Sequence, residues 1–386
     1  MRYHFKSPLY RFLAGMMDAA GNAAFACFRL RPPARSSFRN ALIVRLDHLG
    51  DILTVTGAPQ ALKENYPGCR VTFLTSTAGA ALLQNNPFVD EVIVYDTPWF
   101  FRGARPKKGS DGFWTVMGRV RERKFDLALC PRGDLRENFL VFAAGVSQRI
   151  GYGVTGGGFF LTRQLVYREG KRAHESRRTL DILRALGISK EVLRARIYFS
   201  PDEEEGFRGL WKSKSLPSTW TAVQLKAGTD SKQWPRVRAE EFVRLCAEKL
   251  PHLPLLFIGD TMDGLEWLPD FLKCHPSLPW KNLVAQTSLR ELFWLIRQSR
   301  SFVGPDSGPT HVAACFGVPT LFLYSGTNVF EEWCSLEEAA EFLRNPVPCS
   351  PCHLTECSVP GHPCMSGIEP QKVVRWLSER IHEPSE

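Results

Sequence analysis

Three short stretches place charged or hydroxyl side chains beside glycine where an apolar run gives way to a helix. The first is Gly304-Pro-Asp-Ser-Gly-Pro-Thr-His311, directly after the apolar residues 301–303. A strand that turns sharply into a helix start, through small side chains, lets backbone N–H groups approach an anion closely. Pro309 suits the first helical turn, where an N–H would have no intrahelical partner. Asp306 stands where a cap or a ligand contact belongs, and Ser307, Gly308 and His311 complete the loop. The pattern points to a phosphate-bearing ligand at the C-terminal edge of a parallel sheet. The second stretch is Leu225-Lys-Ala-Gly-Thr-Asp-Ser-Lys-Gln-Trp-Pro235. Its Thr229, Ser231 and Lys232 form either a phosphate grip or a solvated polar loop. The third is Arg45-Leu-Asp-His-Leu-Gly-Asp51. There Gly50 permits a tight turn, and Asp51 is either a plain N-cap or a carboxylate that the helix dipole keeps ionised and able to accept a proton.

Two further groups carry chemistry. Of eleven cysteines, four fall close together as Cys349, Cys352, Cys357 and Cys364, with His353 and His362 between them. A CxxC pair followed by two more thiols can close a tetrahedral structural zinc site or hold an iron–sulfur cluster. The competing reading is disulfides or reduced thiols in an irregular loop. Basic residues follow two candidate strands: Arg102, Arg105, Lys107 and Lys108 in one loop, Arg132 and Arg136 in another. They suit an anionic partner, or are simply solvated.

These residues need a scaffold, and the hydrophobic pattern supplies one. Apolar runs at 41–46, 71–75, 91–95 and 126–130 read as buried parallel strands, with a long helix over 52–66 and another over 174–186. Residues 200–218, with Pro201, a glutamate run and Pro217, read as a linker. A second series follows: strands near 221–226, 254–258, 283–285, 301–303 and 320–324, and helices near 239–250, 288–298, 309–316 and 370–381. Strands alternating with helices predict an α/β chain of two doubly wound domains facing each other across a cleft. The expected divisions are an extension at 1–39, a first domain at 40–205 and a second at 206–386.

The order and wording of the three motifs resemble the heptosyltransferase family of glycosyltransferases (glycosyltransferase family 9). The likeness rests on Arg45-x4-Gly50-Asp51, Lys232-Gln-Trp-Pro235, Gly259 after a strand, Gly304 to His311 and Gly317-Val-Pro319, and it spans roughly residues 41 to 376. It implies a GT-B fold of two Rossmann-like domains. It implies an inverting transfer of heptose from ADP-heptose to an anionic glycolipid of the lipopolysaccharide inner core. Asp51 would be the general base, Lys232 the diphosphate ligand, and Asp306 the partner of the sugar hydroxyls. Asp260 would stand near an acid that binds the ribose, and Arg132 and Arg136 would serve the acceptor. No two aspartates lie two residues apart, so the Asp-x-Asp metal pair used by many nucleotide-sugar enzymes is missing and a route without a metal cofactor is expected. A transferase of the same fold with another nucleotide sugar or surface glycan is the alternative. A binding module that has lost activity is disfavoured by the joint presence of Asp51, Lys232 and Asp306.

The bulk properties fit. The chain has 386 residues, 44% of them hydrophobic and 23% charged, enough for two ordinary cores without disulfides. Residues 1–40 carry Arg2, Lys6, Arg11, Arg29, Arg31, Arg35 and Arg39 against Asp18 alone, which is +6 of the net +9. With the apolar stretch at 12–28 this reads as an amphipathic segment on an anionic membrane surface, or a helix packed on the body. It is neither a spanning helix nor an export signal. The expected setting is the cytoplasmic face of the inner membrane. A nucleic-acid partner is not expected, since no basic stripe with interleaved aromatics follows residue 40.

Overall fold

Short runs of fully buried aliphatic residues form the middle strands of two parallel sheets. The computed structural model describes residues 8–25, 37–100, 111–166, 174–189 and 193–381. It divides into a first unit, Met1–Tyr198, and a second, Phe199–Glu386, so the division falls ahead of the expected 205/206.

The first unit holds strands β1 (Asn40–Arg45), β2 (Arg70–Thr75), β3 (Glu91–Val94), β4 (Leu127–Cys130), β5 (Gln148–Gly151) and β6 (Arg163–Gln164). Their order is β3-β2-β1-β4-β5-β6, all parallel. Successive residues of a strand point to opposite faces, so β1 gives Ala41 and Ile43 to one core and Leu42 and Val44 to the other. Helix residues such as Ala61, Leu62, Ile182 and Leu183 cover the first face; Val116, Val120, Leu140 and Val141 cover the second. Burial on both faces is why these strands read as unbroken apolar runs.

The second unit repeats the plan with β7 (Thr221–Gln224), β8 (Leu255–Ile258), β9 (Lys281–Asn282), β10 (Ser301–Pro305), β11 (Thr320–Tyr324) and β12 (Ala340–Arg344). The order is β12-β11-β10-β7-β8-β9, again parallel. Within each unit the first and fourth strands lie side by side and the chain winds outward in both directions from that pair. Such a reversal point is where α/β sheets bind ligands.

Several expectations are corrected. The supposed linker is a helix, Pro201–Ser213, started by a capping box between Ser200 and Glu203 with proline at its first turn. The helix expected over 52–66 is two, Leu49–Leu53 and Ala58–Asn65; Gly57 caps the second and Pro59 sits in its first turn. The strand expected at 283–285 lies earlier, and Ala285 turns away at φ 57°. Strands β5, β6 and β12 were not expected. Each carries polar or charged residues that are incompletely buried, and β6 and β12 are edge strands. At the N-terminus a helix, Pro8–Ala24, packs on the first unit. No helix among the described residues is long and apolar enough to cross a membrane.

Candidate active site

In the first unit the charged residues gather at the C-terminal ends of β1 and β4. Arg45, the last residue of β1, is almost fully enclosed. Its Nε donates to Asp47 Oδ1 at 2.8 Å, and its Nη2 lies 3.2 Å from Glu175 Oε1 and 3.4 Å from Asp51 Oδ1. Arg132, just past β4, donates to the other oxygen of Asp47. Arg178 pairs with Glu175 at 3.2 Å. Asp51 is not the cap of its helix. His48 holds that position without a side-chain hydrogen bond, and Asp51 sits within the first turn, buried.

Two carboxylates in one cluster are driven apart. Burial, then the neighbouring Asp47 charge, pushes the Asp51 carboxyl up to about 7; Arg45 and Arg132 oppose this, and Glu175 adds to it. Burial would raise Asp47 too, but contact with Arg45 and Arg132 holds it below the usual carboxylate range. A pair split in this way separates a permanent anion from a group that exchanges a proton near neutrality. Beside them Glu137 is fully buried with neither carboxyl oxygen hydrogen-bonded, and burial pushes it up to about 8.

Of the two arginines expected to meet an anion, Arg132 is bound into this cluster and lies over the Phe100 ring at 4.0 Å. Arg136 pairs with Asp134, the cap of its own helix, at 2.7 Å and stacks on Trp99 at 4.4 Å. The loop with Arg102, Arg105, Lys107 and Lys108 lies outside the described residues.

In the second unit the corresponding strands, β7 and β10, carry a separate cluster. Lys232 Nζ meets Asp306 Oδ2 at 2.6 Å, and His311 Nε2 meets Asp306 Oδ1 at 3.1 Å. Asn328, past β11, donates to Asp306 Oδ2 at 3.2 Å. Burial works against the Asp306 charge, but Lys232 and then His311 override it and hold the carboxyl well below its usual range. Ser307, not Asp306, is the N-cap of the helix Gly308–Cys315, and its hydroxyl donates to Gln224 Oε1 at 2.7 Å. Gly304 is required beside it, because a Cβ there would lie 2.9 Å from Thr310 Oγ1 and 3.2 Å from Gln224 Cβ. The result is a cation beside a helix start whose first amides have no acceptor within the helix.

The expected grip at Thr229 and Ser231 takes another form. Ser231 is buried; its hydroxyl donates to the Leu354 carbonyl at 2.6 Å and its amide to Thr355 O at 3.0 Å. Thr229 Oγ1 lies 3.3 Å from Ser231 Oγ. Ser231 therefore ties in the cysteine-bearing segment rather than standing open to a ligand. Asp260 is exposed at the end of β8.

The possible zinc site finds no support. Among the described residues no group of three or more His, Cys, Asp or Glu is placed to hold a metal ion. Cys349 is exposed and Cys364 buried. Burial raises the Cys364 thiol, which also feels Cys357, Cys349 and Cys352 as neighbours. Ordinary hydrogen bonds order the segment instead: Cys352 N to Gly326 O at 3.1 Å, His353 N to Thr327 O at 2.8 Å, and the two bonds of Ser231.

Arg45, Asp47, Glu175, Arg178, Gln224 and Asn328 carry no expected role from sequence. Arg45 and Asp47 lie inside the stretch 45–51 that the sequence marks; the other four leave no local signal.

Residues 113–362 match the family model described as glycosyltransferase family 9 (heptosyltransferase). Lipopolysaccharide heptosyltransferase 3 of Escherichia coli (strain K12) is 21% identical over 281 residues, 72% of this chain and 80% of that protein. The fold matches the family 9 glycosyl transferase of Veillonella parvula DSM 2008 at a TM-score of 0.72, with 18% identity over 90% of this chain and 98% of that one. It matches E. coli heptosyltransferase WaaC, solved with ADP, at a TM-score of 0.64, with 16% identity over 88% of this chain and 99% of that one. At such identities the structural likeness speaks for the two-unit α/β fold alone.

Proposed function

This chain belongs to glycosyltransferase family 9, and from that premise we propose that it moves a heptose from ADP-heptose to an anionic acceptor of the lipopolysaccharide inner core. It is a glycosyltransferase. The observation that carries the mechanism is Asp51, a buried carboxyl poised near neutrality in the first turn of the helix that follows β1. A base is most useful when its proton affinity is near the working pH.

In the proposed step the acceptor hydroxyl oxygen bonds to the anomeric carbon and its proton passes to Asp51. The bond from that carbon to the diphosphate breaks, and ADP leaves from the opposite side, inverting the centre. Charge grows on the departing diphosphate as the sugar approaches an oxocarbenium ion. Lys232 and the first amides of the helix Gly308–Cys315 are the groups suited to that charge, in place of a metal. Asp306, kept ionised by Lys232 and His311, accepts hydrogen bonds from sugar hydroxyls, with Ser307 and Gly308 completing the loop. Asp260 is assigned to the ribose. Arg132 and Arg136 meet the acceptor's acidic groups. ADP in the solved E. coli WaaC supports an adenine donor. A lipid-borne acceptor puts the enzyme on the cytoplasmic face of the inner membrane.

Asp51→Asn tests this directly. With ADP-heptose and a core acceptor, transfer is expected to fall by about 10²–10⁴-fold while ADP binding stays within about twofold of wild type. Undiminished turnover would remove Asp51 as the base.

A further inference from the structure

The helix Pro8–Ala24 is turned inside out for a water-facing surface. Its packed side carries its only acid. Asp18 is 1% exposed and accepts the Gly157 amide at 2.8 Å. Its outward side carries Leu9, Phe12, Leu13 and Met16, which are 61%, 63%, 49% and 56% exposed, followed by the exposed Ala20 and Ala23. At 3.6 residues per turn these positions form one stripe.

The rotation of the helix is fixed by its seat. Besides the Asp18 bond, the Phe159 ring lies where a Cβ on Gly21 would go, and Met17 fills the space above Gly156. The Phe25 ring meets Phe142 edge-on at 5.2 Å. The apolar stripe is therefore presented outward by specific packing.

We propose that this stripe is a docking surface for an anionic lipid bilayer, with the helix lying in the headgroup plane. Charge selects this partner. Residues 1–40 hold +6 of the chain's +9, and their one acid faces the packed side of the helix, so the segment's net charge favours an anionic surface. Two copies brought together on this stripe would set two such segments against each other. Asp18 within the helix argues against spanning, and no helix among the described residues is long and apolar enough to cross a membrane. Beneath the helix, ring contacts run from Phe25 to Phe160 (5.5 Å), on to Phe139 (5.3 Å) and then to Trp114 (6.4 Å), a further exposed aromatic of the same unit at 66%. Tryptophan favours the headgroup level of a bilayer. The inference deepens the proposed function, since a lipid-borne acceptor gives such docking its purpose.

The test is co-sedimentation of the full chain with phosphatidylethanolamine vesicles containing phosphatidylglycerol, beside pure phosphatidylcholine vesicles. Binding to the anionic vesicles alone, weakened by salt, is expected. Phe12→Ser with Met16→Ser should cut the partition coefficient by about tenfold or more and change the melting temperature little, because both residues are more than half exposed. Trp114→Ala should cut it less. Three results would overturn the docking: wild type ignoring anionic vesicles, the double variant binding as well as wild type, or a dimer that the same variant dissolves without any vesicle binding. The assay needs neither donor nor acceptor. Vesicle binding without heptose transfer therefore sinks the functional reading and leaves the docking, and transfer without vesicle binding does the reverse.

Discussion

Asp51 shares a guanidinium with two better-placed rivals. Arg45 holds Asp47 at 2.8 Å and Glu175 at 3.2 Å, against 3.4 Å for Asp51. The least neutralised member is the one that burial and like charge can keep protonated. Transfer should accordingly rise with pH through about 7 as Asp51 ionises. Glu175→Gln removes a like charge and releases Arg45 toward Asp51. Both changes favour the carboxylate, so the acid limb of kcat/KM should move to lower pH, and a limb that stays put would show that Glu175 does not position the base. Stability carries the opposite sign. A carboxyl raised in the folded state binds more protons folded than unfolded between about pH 4 and pH 7, so its contribution to stability falls as pH rises through that window. Asp51→Asn should therefore match wild type in acid and melt higher above pH 7, as differential scanning calorimetry across that range would show.

At the scale of elements, what the sequence revealed depended on how far apart the cooperating residues stand. Gly50-Asp51 and Gly304 to His311 are local, since strand end, turn and helix start fall within a few residues and each constrains the next. Glu175 reaches Arg45 across 130 residues, and Asn328 reaches Asp306 across 22, so no spacing rule marks either. The linker reading of 200–218 failed for a different reason. Proline and a glutamate run read as breakers in sequence, whereas Ser200, Pro201 and Glu203 together are a helix start. The helix they begin also ties inward through Glu203 to Arg290 at 2.8 Å. Ser200→Ala removes the acceptor for the Glu203 amide and should cost about 0.5–2 kcal/mol in chemical denaturation. A loss near zero would mean that the Arg290 pair, rather than the cap, sets the start of the helix. The cysteines show the converse limit. Their spacing suggested a metal site, but spacing does not report that Ser231, Gly326 and Thr327 already supply bonds to that segment.

The molecule as a whole divides the proposed chemistry by unit, one topology serving twice. In the proposed reaction the first unit would supply the base, and the second the cation and helix start suited to a diphosphate. The division can be separated by ligand-induced stabilisation. A ligand that binds only the folded chain at about 100 times its Kd adds about 2.7 kcal/mol, or about 5–10 °C in Tm for a unit of this size. ADP should give that increment in wild type and in Asp51→Asn, because the substituted residue lies in the other unit. Lys232→Ala should melt lower without ligand, since it leaves the buried Asp306 carboxylate with only His311 and Asn328. With ADP the increment should vanish, because the diphosphate would then meet Asp306 with no lysine between them. The increment, rather than the baseline, is the readout, so a general loss of stability cannot imitate the result. If Lys232→Ala keeps the full ADP increment, the diphosphate is bound elsewhere and the donor assignment to β7 and β10 falls. If Asp51→Asn loses it, the nucleotide depends on the first unit, and the division of labour between the two sheets has to be abandoned.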